Sequence, residues 1–246
     1  MTNTIFETER LLLKPFSMLS KEEKQIVGDS WANPFNARYN AMRDPYGSVE
    51  ELCKLSQPTF KNLTEYYDYM YFRVAFSKET SEIIGTCRFG QYHKCTDNST
   101  WDFGFNVLLK HWFKGYGVEI LSCIGDIAKA CGVKTIRGGA DMENFGSYKA
   151  MVKNGYEYVG YDEDGDYEYL LDLSKPTKSK AEIEQIWQAH LERTKQDLGA
   201  IKFINLQFIN SQIVEMVKRI QSGEDENALV EKYLNHLNAI EEFKMT

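Results

Sequence analysis

The run with the most chemistry in its residue types is Trp112-Phe-Lys-Gly-Tyr-Gly117. It falls where a strand-like pattern ends and a helical one begins. The first amides of a helix lack intrahelical partners and sit at the positive end of the helix dipole. Gly115 and Gly117 let a backbone come close to a bound group, so the run reads as an anion site suited to phosphate. It is not a Walker A loop, because G-x-x-x-x-G-K-[ST] is absent, and the third glycine of a dinucleotide fingerprint is missing. Taken alone, the same run is also a tight strand-to-helix turn.

Other chemistries find less support. The five cysteines, at 53, 87, 95, 123 and 131, form no C-x-x-C, and their number is odd. A disulfide framework is therefore not expected. The four histidines are scattered, and nothing has the spacing of a metal site, so no metal is expected. The G-x-S-x-G elbow of a serine hydrolase is absent. Cys123 and Cys131 fall on a helix as expected core, and Cys87 falls on a strand.

The elements that must hold the glycine run follow from periodicity. Residues 9–16 read as a first strand. Residues 20–57 carry two helical patterns broken near Asn33-Pro34 and Pro45-Tyr46-Gly47. Tyr69 to Ser77 and Glu82 to Tyr92 read as strands joined by a hairpin loop, and Thr100 to Leu109 as a third, interrupted by Gly104. From Gly115 the period changes: Val118, Leu121, Ile124, Ala128 and Cys131 recur at helical spacing, with Gly132 as the stop. Then come a strand over 133–140, a helix over 143–153, and a hairpin of 156–162 with 167–173. The order predicts an α/β (α+β) fold, a mixed sheet with helices on both faces.

After residue 174 no strand pattern appears. Residues 175–180 read as a linker between a domain over 1–174 and a helical extension over 181–246. Ile183, Ile186, Trp187, His190, Leu191, Thr194 and Leu198 share one stripe, which drifts through Ile201, Ile204, Phe208, Ile213, Met216, Val217 and Ile220. Ser222 to Asp225 is a turn, and Leu229, Tyr233, Leu237, Ile240 and Phe243 mark a last helix. This predicts an antiparallel helical hairpin, either packed on the main domain or used in a homodimer.

The 246 residues are 43% hydrophobic and 26% charged, a globular balance. The net charge of -7 argues against a nucleic-acid partner, which needs a basic footprint. It is compatible with a cationic amine. Without an 18-residue apolar run or a signal-like start, neither membrane insertion nor secretion is expected, and the location expected is cytoplasmic.

The block from Trp101 to Leu121 resembles the GNAT acetyltransferases, in particular their ribosomal-protein N-acetyltransferase-like (RimJ/RimL) branch. So do Asn144-Phe-Gly-Ser147 followed by Lys153-Asn-Gly-Tyr156, the opening Thr8-Glu-Arg-Leu-Leu-Leu-Lys14, and Ile84-Gly85. The resemblance spans residues 5–173. It departs at Phe113 and Gly117, where the branch often has Gly and Ala, and at Met151, where many relatives carry a catalytic Tyr.

The resemblance implies a mostly antiparallel GNAT-like sheet and acetyl-CoA as co-substrate. Backbone amides from Phe113 through Lys114, Gly115, Tyr116 and Gly117 to Val118 would hold the pyrophosphate. The pantetheine arm would run along the strand end at Asn106, Val107, Leu108 and Leu109, with the amide of Asn106 or Val107 polarising the thioester. Asn144 would bond the cofactor. A primary amine, protonated at neutral pH, needs a base before it attacks the thioester directly in a ternary complex. Asp102, where the branch has Glu, is the candidate base. Ser147 is the candidate acid, and Tyr148 a second candidate or a packing aromatic. Two functions follow: an N-acetyltransferase acting on a protein N-terminus or small amine, or a GNAT-fold acyl-CoA- or partner-binding protein with weak or no catalysis.

Overall fold

The computed structural model describes residues 4–33, 35, 71–92, 98–163 and 165–242. Its strands are β1 (Phe6–Glu7), β2 (Leu11–Pro15), β3 (Arg73–Ser77), β4 (Ile83–Gln91), β5 (Thr100–Val107), β6 (Thr135–Ala140), β7 (Glu157–Tyr161) and β8 (Tyr167–Asp172). Its α-helices are α1 (Lys21–Ala32), α2 (Tyr116–Ala130), α3 (Phe145–Lys153), α4 (Lys180–Leu198), α5 (Ala200–Gln221) and α6 (Glu226–Glu242). The strands form one sheet in the order β1-β2-β3-β4-β5-β6-β8-β7. Its pairings are antiparallel except β5 with β6.

Alternation along β2 shows why both faces are covered. Leu11 and Leu13 join the core under α2 and α3, with Ile120, Leu121, Ile124, Met151 and Val152. Leu12 points the other way, toward the cluster of Phe16, Val27, Val74, Phe76 and Ile83 beneath α1. Helix α1 starts with a capping box, Ser20 and Glu23 exchanging bonds, which fixes its boundary locally.

Several expectations are adjusted. Strand β1 has only two residues, too short for a periodic signal. The third strand stops at Val107 because residues 109–111 tighten into a 3₁₀ turn. The second helical pattern of residues 20–57 and the start of the strand at Tyr69 lie outside the described residues. The linker is shorter than expected, since Ser179 already caps α4 in a capping box with Glu182.

The C-terminal segment contains three helices. Gly199 has φ 78° and ψ 155°, a conformation open to glycine and strained for other residues. The chain axis turns there, which is the drift seen in the apolar stripe. The expected hairpin is α5 with α6, across the turn at 222–225. These two enclose a second core of Ile209, Ile213, Met216, Val217, Leu229, Tyr233 and Leu237, which also takes in Phe35, Leu109 and Trp112. Helix α4 packs instead on α3 and β8, through Trp187 and His190.

Candidate active site

The parallel pair β5–β6 is registered only over Thr100–Asp102 with Thr135–Arg137. Beyond that point β5 follows β4 to Val107, and β6 follows β8 to Ala140. The two strands separate and leave an opening. Tyr92 N–H donates to the Thr100 carbonyl, and Leu108 N–H to the Ile84 carbonyl, each at 2.9 Å. Even-numbered residues of β5 therefore bond to β4, and the backbone groups of Phe103, Phe105 and Val107 face the opening. Of the two amides expected at the thioester, Val107 faces the opening, while Asn106 turns toward β4. Leu108 is likewise committed to β4, and Leu109 is buried in the second core.

Glycine is required where the opening begins. A Cβ on Gly138 would fall 2.4 Å from the Phe103 ring, which packs edge-on against Tyr156. A Cβ on Gly117 would lie 3.0 Å from the Phe105 ring. That contact accounts for glycine where the resemblance leads one to expect alanine.

The glycine run forms a bent turn at the start of α2. Phe113 has φ 61° and Gly115 φ 82°, and Gly115 caps the helix with no side-chain bond to its first amides. Those amides remain available to an anion, with Lys114 exposed beside them. The turn is held from one side by Arg10, 109 residues from Glu119. Arg10 donates to the Lys114 carbonyl at 3.0 Å, pairs with Glu119 at 2.6 Å, and lies 4.4 Å above the Tyr116 ring. Burial raises the Glu119 carboxyl, and bonds from Thr8 and Arg10 outweigh it, so its pKa ends below the usual value.

Asp102 lies on the sheet face opposite Trp101 and Phe103. There its carboxylate meets the Arg88 guanidinium at 3.4 Å, a loose pair with both side chains partly exposed. Arg88 lies across Gly104, whose added Cβ would meet the guanidinium Nε at 3.1 Å. The glycine interrupting this strand thus makes room for an arginine.

Across the opening, α3 follows β6. Asn144 caps it, its side-chain oxygen accepting from Ser147 N–H at 3.1 Å. Ser147 is half-buried in the first turn, on the face opposite Asp102. The opening connects the two faces, but nothing brings the two side chains into contact. Tyr148 is fully buried. Its hydroxyl sits between the carbonyls of Ala140 and Tyr167, and its ring packs on His190 at 4.7 Å. Burial pushes its pKa up. Tyr148 is thus packed into the core, with its hydroxyl bonded to backbone. Met151 is core.

Burial also pushes the Cys123 thiol up to about 11, which suits a core residue and not a nucleophile. Among the described residues no cluster of three His, Cys, Asp or Glu could hold a metal. Arg10, Glu119, Arg88 and Gln221 were not singled out from the sequence. Their partners are distant along the chain, and of them only Arg10 and Glu119 fall inside the blocks that carry the resemblance, where neither is given a role.

The sequence pattern of the Acetyltransferase (GNAT) domain matches residues 10–157. An uncharacterized N-acetyltransferase, p20, of Bacillus licheniformis is 24% identical over 154 residues, which are 62% of this chain and 82% of that protein. A GNAT-family acetyltransferase structure from Bacillus anthracis matches at TM-score 0.53 and 18% identity, covering 70% of this chain and all of that one. The Salmonella typhimurium protein yncA, solved with its cofactor acetyl-CoA, matches at TM-score 0.50 and 17% identity, covering 66% and 95%. The splayed parallel pair, the free amides opening α2 and the matched domain agree, and the chain belongs to the GNAT acetyltransferase family, whose members use acetyl-CoA.

Proposed function

We propose that this chain moves an acetyl group from acetyl-CoA to a primary amine, either a protein N-terminus or a small molecule, within the RimJ/RimL-like branch. The observation that carries this reading is the junction of two features. The strand opening exposes the amides of Phe105 and Val107, and it leads to the uncapped turn at Phe113–Val118. A peptide-like arm fits the first and a pyrophosphate the second. The solved acetyl-CoA complex of the Salmonella protein, which shares the fold, supports the same assignment.

Acetyl-CoA supplies an activated thioester when bound. The chain's own groups do the rest. The amides of Phe113 to Val118 and the Lys114 charge hold phosphate, and the Asn144 side-chain amide remains free to donate. The Val107 N–H is aimed where a thioester oxygen would gain charge. Asp102 takes the amine proton. Three residues of extended strand, roughly 10 Å, separate it from Phe105, so it acts through water. Arg88 holds the Asp102 carboxylate in place, and Ser147 relays a proton from water to the leaving thiolate while the proton on Asp102 passes to water. The exposed stripe of Ile201, Ile204 and Phe208 on α5 supports self-association as a homodimer.

The test is calorimetric titration with acetyl-CoA, followed by transfer assays on small amines and N-terminal peptides. Micromolar binding is expected. Asp102→Asn is expected to slow transfer roughly a hundred-fold, and Ser147→Ala less. Binding without transfer to any amine would leave the acyl-CoA-binding reading. No binding by folded protein would overturn both.

A further inference from the structure

The coenzyme turn is fastened from a second side, by a part of the chain outside the matched domain. Gln221, the last residue of α5, donates its side-chain amide to the Lys110 carbonyl at 3.2 Å and to the Trp112 carbonyl at 3.1 Å. The Trp112 indole in turn donates to the Val107 carbonyl at 2.6 Å, closing the end of β5. Leu109 is 1% exposed in the second core, and Trp112 packs against it. The segment from Leu109 to Trp112 is therefore held by α5 and α6 as much as by the sheet.

This bears on Phe113. Its φ of 61° is one that a bulky side chain avoids, and the residue is 62% exposed, its ring meeting Trp112 edge-on at 6.2 Å, so burial of its own does not hold it there. Its neighbours hold it. Trp112 is fixed by Gln221, Val107 and the second core, and Lys114 by Arg10. Between two fixed residues, Phe113 is left the positive φ, and it shares that sign with Gly115, the kind of backbone from which anion-binding nests are built.

We infer that Gln221 is a positioning residue for the coenzyme turn, and that the C-terminal helices form part of the acetyl-CoA site through it. The inference rests on the reading of Phe113–Val118 as the phosphate cradle. Loss of the two donors frees Trp112, lets Phe113 relax, and disperses the amides before any ligand arrives.

The experiment compares full-length wild type, Gln221→Met, which fills similar space without donors, and Gln221→Lys, which restores donors. Three quantities are read: the dissociation constant for acetyl-CoA, the melting temperature, and backbone NMR order parameters over residues 113–118 without ligand, which report rigidity whether or not an amide is bonded. Gln221→Met is expected to weaken acetyl-CoA about five- to thirty-fold and to lower the order parameters at 113–118, with melting lowered by only a few degrees. Gln221→Lys is expected to restore both affinity and order. Equal affinity and equal order in all three would overturn the inference. Affinity restored by lysine without restored order would also overturn it, since charge alone would then be acting. If wild type binds no acetyl-CoA, the phosphate-cradle reading fails. The order parameters then still decide whether Gln221 holds the turn: lower order in Gln221→Met supports it, and unchanged order overturns it.

Discussion

At the scale of single residues, glycines separate what the sequence could say from what it could not. Gly115 was legible, since a glycine before a helical period is a signal by itself, and its φ of 82° gives the reason for it. Gly104, Gly117 and Gly138 were visible as glycines, but their reasons were not. Each makes room for one distant side chain, Arg88, Phe105 or Phe103, across a strand pairing or crossover that no local pattern encodes. The two kinds of glycine have different consequences on substitution. A valine at 115 forces a branched side chain into the left-handed region and carries it toward the Arg10 guanidinium, 3.6 Å from the Cβ position. Gly115→Val is expected to weaken acetyl-CoA at least ten-fold. Gly117→Ala meets only the edge of the Phe105 ring and is expected to weaken it by less than three-fold. Titration of both variants checks this, and equal losses would mean that space, not backbone conformation, decides the turn. Asp102 and Ser147 are proposed for the site only through resemblance. Their types and positions carry no local signal, and the sheet holds them on opposite faces.

At the scale of elements, periodicity gave the strands and helices of residues 9–16 and 71–173 to within a few residues. It failed where one glycine changes direction, as at Gly199. Helix α4 shows what such an element does once docked. His190 is fully buried, its Nδ1 bonded to the Tyr169 hydroxyl at 2.9 Å, its ring stacked on Trp187 at 5.1 Å and packed on Tyr148. Burial and then the charge of Arg193 hold its pKa down at about 4. The unfolded chain takes up this proton near pH 6.5 and the folded chain only near 4, so between those values unfolding binds the proton. Stability from His190 is complete above pH 6.5 and is lost as pH falls toward 4, at no more than about 1.4 kcal/mol per pH unit. His111 is also held near 4, by burial and then by Lys110, and adds a loss of the same sign. Urea melts of wild type and His190→Gln at pH 7 and pH 5 test the assignment. The variant is expected to lose roughly 1–2 kcal/mol less than wild type over that interval. Parallel losses would remove His190 as the cause.

At the scale of the molecule, the sequence suggested two modules joined by a linker, because strand patterning stops at residue 174. The packing argues for one cooperative unit. Ile183, Ile186 and Trp187 of α4 lie against the main core, and Tyr161 and Tyr167 donate to Asp197 at 2.9 and 2.6 Å. The second core is not closed by α5 and α6 alone, since it takes Phe35, Leu109 and Trp112 from the first part of the chain. A boundary drawn from composition does not say which residues are shared across it, because a shared core is a long-range property. Two modules able to fold separately would melt in two steps, whereas shared cores couple them into one. Calorimetry of the full chain is therefore expected to show a single transition whose calorimetric and van't Hoff enthalpies agree. A chain ending at residue 178 would expose Leu109, Trp112, Phe145 and the faces of Tyr148 and Tyr169 together. That is a large apolar surface with its partners removed. It is expected to aggregate or to lack a cooperative melt, and its amides at 113–118 would lose the Gln221 anchor. Two resolved transitions in the full chain, or a truncated chain that melts cooperatively and binds acetyl-CoA as wild type does, would restore the separable-module view. The helical extension would then stand apart from the catalytic domain.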